Sequence, residues 1–191
     1  MKNTLILLII LGAGILAPAQ IYPLRTNDIS LPKNSYVKDI DNELNAYEGT
    51  WTTSWGNKTL YITFKKIKYY KDFLNDGAYY QDLLVANFKV IDNATNNVLI
   101  DNSNIPDNNP KLYGSGIRKL DQKYSMIYID KDLCGLVGNI RINFTDSSKN
   151  KLEWWCGLNY ESIDKNSCYY GKQPFNEWPR PFPNKAILTK Q

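Results

Sequence analysis

Past Tyr47 the apolar side chains recur at every second position, the period of a half-buried strand. Trp51, Thr53 and Trp55 share one face of a first strand. Gly56-Asn57 is a compact hairpin signal, and Leu60, Ile62 and Phe64 share one face of the second strand. Asn75, Asp76 and Gly77 interrupt the chain before Leu84, Ala86, Phe88 and Val90 alternate again. A short strand at Val98 to Ile100 follows the Asn93 to Asn97 turn, and the Asn-, Asp- and Pro-rich loop 101–110 excludes helix and central strand. Further strands fall around 113–120, with a bulge at Gly114-Ser115-Gly116, and at 124–129, 139–144, 152–156 and 186–189. Eight or nine short strands of this kind predict an all-β sandwich or barrel. Trp51, Trp55, Phe64, Phe88, Phe144 and Trp154 then face inwards together.

Before Tyr47 the pattern differs. Lys2, the apolar run Leu5 to Leu16 and the small residues Ala17-Pro18-Ala19 are the three parts of a secretory signal peptide over residues 1–19, cleaved between Ala19 and Gln20. The run is too short to span a bilayer, which takes about 20 residues, and no second one follows, so no transmembrane segment is expected in the mature chain. Residues 20–36 read as an extended arm. Val37, Ile40, Leu44 and Tyr47, at steps of three, four and three, predict a short helix that plugs one end of a single domain over 37–191.

Export makes the cysteines informative, because a periplasmic or secreted protein lets thiols pair. With three of them, at most one intramolecular bridge forms. Cys156 with Cys168 is the expected pair, stapling the excursion Gly157 to Ser167 and leaving Cys134 as a buried thiol.

Tyr47-Glu48-Gly49-Thr50-Trp51, entering the first strand from a helix, resembles the G-x-W signature of lipocalin and calycin barrels. The resemblance implies an antiparallel lipocalin-like barrel of about eight strands, in which Gly49 permits the tight entry and Trp51 caps the closed end. Lipocalins place an arginine across from that tryptophan, where the last strand here offers Lys190. Together with the ending Ala186-Ile187-Leu188-Thr189-Lys190-Gln191, the same stretch is similar to a family of small exported bacterial proteins of unknown function, best known in Bacteroidota.

The chain carries no histidine, which removes the usual general base, the triads built on it and most zinc and haem sites. The cysteines lack C-x-x-C spacing, so neither a metal nor a cofactor is expected. Glu48, Glu153, Glu161 and Asp164 are the carboxylates a hydrolase would need, and solvated surface positions account for them. The net charge of +4 is small and loses one unit with Lys2. Lys65, Lys66 and Lys68 beside Tyr69 and Tyr70 read as a strand edge guarded against aggregation, with no nucleic-acid partner expected.

Five tryptophans and 14 tyrosines are the positive feature, since aromatic rings serve both barrel cores and ligand walls. Tyr69, Tyr70, Tyr79 and Tyr80 flank the 72–77 excursion as a candidate binding rim. The expectation is a secreted, non-enzymatic binding protein for a small apolar or aromatic ligand inside the barrel, or for a protein or glycan at its rim. The alternative is an envelope-associated structural or interaction protein whose barrel is filled.

Overall fold

The computed structural model describes residues 20–26, 31–73, 77–163 and 168–191. The expected leader with Ala19, the Asn75 and Asp76 of the expected turn, and Asp164 lie outside the described residues. Two short strands, β1 (Ile21–Pro23) and β2 (Tyr36–Lys38), come from the arm and pair in parallel. They are followed by β3 (Gly49–Trp55), β4 (Lys58–Phe73), β5 (Gly77–Asp92), β6 (Val98–Asp101), β7 (Leu112–Ile117), β8 (Tyr124–Asp130), β9 (Leu136–Phe144), β10 (Lys151–Asn159) and β11 (Lys185–Lys190).

β3, β4, β5 and β7 to β11 close into an eight-stranded antiparallel barrel. Lys190 pairs with Trp51 at one join, and Val85 and Ala86 pair with Tyr113 and Leu112 at the other. The fourth strand expected from the sequence is β6, but it pairs only with β5, outside the ring. Closure removes the free sheet edge that an open antiparallel sheet would expose.

The inner face is built from the alternation. Trp51, Leu60, Ile62, Phe64, Phe88, Ile142 and Trp154 are buried in one cluster, while Trp55 and Phe144 pack against it half-buried. At one end Tyr47 stacks on Phe144, with ring centroids 4.3 Å apart. The Trp51 indole N–H donates to the Tyr47 carbonyl at 2.8 Å. Lys190 crosses that indole at 5.3 Å and donates to the Ala46 carbonyl. Gly49 enters β3 at φ +109°, a conformation L side chains rarely adopt, and a Cβ there would meet Lys190 at 3.4 Å.

The helix expected over Val37, Ile40, Leu44 and Tyr47 does not form. Val37 lies in β2, Ile40 is 52% exposed, and only a 3-10 turn, Glu43–Tyr47, follows. Local polar chemistry overrides the spacing: Asn42 sits at φ 55°, and the buried Asp39 carboxylate accepts from the amides of Glu43 and Leu44.

The opposite end is plugged by the segment Gln173 to Asn184. Phe182 enters the barrel mouth, 2% exposed, against Phe88 (4.6 Å), Tyr128 (5.0 Å) and Trp154 (5.5 Å). The Trp154 indole N–H donates to the Pro183 carbonyl at 3.0 Å. Side chains therefore occupy the interior from end to end.

The disulfide joins Cys134 to Cys168, not Cys156 to Cys168, with Cα atoms 5.7 Å apart. Strand phase explains the correction. Cys156 follows Trp154 on the inner face of β10 and is buried as a free thiol, its pKa pushed up to about 12 by burial. Cys134 lies in the turn between β8 and β9, outside the ladder, where Cys168 meets it.

Candidate functional site

β4 and β5 pair one-to-one from Lys58↔Asp92 to Phe73↔Gly77, but β3 accompanies β4 only as far as Phe64. The distal half of this hairpin therefore leaves the barrel wall, and β2 joins its β5 side through Tyr36↔Tyr80 and Val37↔Gln81. β4 from Lys65 onwards is an outer edge bearing Lys65, Lys66 and Lys68, as expected.

The four rim tyrosines lie on this extension but do not share a face. Tyr70 opposes Tyr80, with rings 5.1 Å apart, on the continuation of the inner face. Lys68 is partnered there, lying 4.3 Å from the Tyr80 ring and 4.4 Å from that of Tyr36. Tyr36 Oη donates to Asp82 at 2.6 Å, and Asp82 also accepts the Asp39 amide at 2.9 Å. Tyr69 and Tyr79 project from the other face by the two-residue period.

That other face borders an opening in the barrel. β5 and β7 pair at only two positions before β7 bulges between Gly114 and Gly116. The Leu84 amide, freed from the ladder, donates instead to Tyr124 Oη at 2.9 Å. The tyrosine reaches it across Gly114, where a Cβ would sit 1.9 Å from the hydroxyl. Glycine at 114 thus lets the seam part without stranding a buried donor.

The parted seam makes a groove of about 600 Å³ lined by Tyr69, Tyr70, Lys71, Asp72, Tyr79 and Tyr113, with Ser115 and Ile127 beside them. Tyr79 and Ser115 also line a second cleft of about 310 Å³ on the arm side, together with Gln81. Gln81 is only 5% exposed, and its side-chain amide makes no hydrogen bond to a described residue. Burial raises the pKa of Tyr79 and of Tyr113 and pushes the Lys71 ammonium down to about 8. Lys71 has no hydrogen-bond or ion-pair partner among the described residues. Of the four tyrosines expected at the rim, Tyr69, Tyr70 and Tyr79 line this groove, and Lys71, Tyr113 and Ile127 join them without having been expected there. The usable signals were the shared phase of Lys71 with Tyr69 and the bulge just after Tyr113.

The carboxylates are spread apart. Glu48 accepts the Lys66 amide at 2.8 Å, Glu153 pairs with Lys123 at 2.6 Å, and Glu161 belongs to the 3-10 turn Tyr160–Ser162. No group of three metal-ligating side chains occurs among the described residues, and no helix among them is long and apolar enough to cross a membrane.

No curated protein and no solved structure matches this chain. A family model of unknown function matches residues 1–170, which takes in the hairpin and the seam and stops short of β11. The chain belongs to that family, DUF6705.

Proposed function

We propose that the mature chain, exported after loss of residues 1–19, is a non-enzymatic binding protein that works through the open seam rather than through the barrel interior. The observation that carries this reading is the contrast in filling. Phe182 and the Trp51 end close the interior, whereas the seam keeps a groove of about 600 Å³, within the ~300–1,000 Å³ usual for small-molecule sites. Four tyrosines and Ile127 give that groove an aromatic and apolar wall, the surface such ligands bury. The lipocalin likeness, carried by Gly49 and Trp51, bears on the wall of the barrel and does not name a ligand site.

Native mass spectrometry of the protein purified from its own host tests the reading. The expected spectrum shows a chain beginning at Gln20 with a retained mass that Ile127→Trp, which fills the groove, removes. A retained mass unaffected by Ile127→Trp would place binding elsewhere. A filled barrel also suits a purely structural envelope protein, and a chain that never retains a ligand or partner would favour that second reading.

A further inference from the structure

The seam groove holds a cation that the protein itself leaves uncompensated. Lys71 projects from β4 on the same face as Tyr69, with Tyr79 facing it from β5, Tyr113 and Ser115 from β7, and Ile127 from β8. Asp72, next to Lys71 in β4, also lines the groove, but it makes no ion pair with Lys71, whose pKa is lowered by burial without an opposing charge. In the groove over β10 and β11, by contrast, Lys123 pairs with Glu153 at 2.6 Å and Arg141 stacks on Trp155 at 4.5 Å. A half-buried ammonium without a counter-ion is unfavourable and is relieved when an anion arrives.

We infer that the seam groove binds an aromatic carboxylate, the acid group held by Lys71 and the ring packed among Tyr69, Tyr79, Tyr113 and Ile127. The inference rests on the seam being the working surface, and it names the ligand class. A charge-assisted hydrogen bond in a partly desolvated site distinguishes an acid from its neutral isostere about tenfold or more. Lys71 alone supplies the charge at neutral pH, since burial keeps the Tyr79 and Tyr113 hydroxyls protonated well past it. Affinity for the acid therefore declines as pH rises through about 8 and Lys71 loses its proton.

Titration of the mature protein with 2-naphthoate and with 2-naphthamide, followed by fluorescence, tests this. At pH 7 the acid is expected to bind at least about tenfold tighter than the amide. Lys71→Met should erase the preference, Lys71→Arg should keep it, and Ile127→Trp should weaken both compounds. An acid preference that survives Lys71→Met overturns the inference. Equal binding of acid and amide, blocked by Ile127→Trp, overturns the anion assignment and leaves the seam as a binding site. If neither compound binds, and Ile127→Trp leaves the material retained from the host unchanged, the inference and the seam reading fall together.

Discussion

The barrel interior and the seam beside the long hairpin are built from the same residue types and treat them in opposite ways. Inside, aromatic side chains are fully buried and their polar atoms are satisfied: Trp51 by Tyr47, Trp154 by Pro183, Tyr124 by Leu84, Tyr128 by Asp130. Even the buried Asp130 meets Lys111 at 2.8 Å, and burial, which would lower the Lys111 pKa, is outweighed by hydrogen bonds to Asp130 and Asp132. In the seam, Lys71 has no such partner among the described residues. A region where every local choice agrees with the fold is serving stability, and one that keeps unsatisfied groups is held for something else.

Four substitutions sharpen this contrast. Trp154→Ala removes a fully buried indole and should cost about 3–5 kcal/mol, read by urea denaturation. A loss near that of a surface change would mean the interior is not packed as described. Cys168→Ser opens a bridge that spans 34 residues and should cost about 2–4 kcal/mol, with peptide mapping of the unreduced protein recovering Cys134 joined to Cys168.

Lys71→Met should do the reverse and stabilise the protein by roughly 1–3 kcal/mol at neutral pH. Its sign follows from linkage. The folded-state pKa, about 8, lies below the unfolded value of about 10.4. Between these the unfolded chain binds more protons, so wild-type stability rises with pH across that window. The advantage of the variant is complete below pH 8 and gone above roughly pH 10.4. A destabilised Lys71→Met protein at pH 7 would show that the ammonium is already compensated. Tyr70→Ala, at a position 46% exposed, should change stability by less than about 1 kcal/mol.

Most of the barrel is legible in the alternation, because a strand with one buried face must repeat every second residue. Trp51, Leu60, Ile62, Phe64, Phe88 and Val90 declare their faces this way. The distal hairpin does not: Lys65, Lys66, Lys68 and Lys71 break the apolar rhythm, and the strand continues because β5 pairs with it position by position. Leu83 to Ala86, buried on both faces, hide the phase altogether. The helix failed because Asp39 and Asn42 bend the backbone through hydrogen bonds and a left-handed turn that spacing does not record. The seam was the least visible, since it depends on where β7 stops following β5, a contact between residues far apart in the chain.

The join between β11 and β3 unites residues near 190 with residues near 51. β3, β4 and β5 can zip together locally as soon as they emerge, but the ring lacks its last stave until the C-terminal strand arrives, and long-range pairings of this kind form slowly. Until that pairing forms the sheet is an open ribbon, and the barrel exists only once β11 has docked against β3.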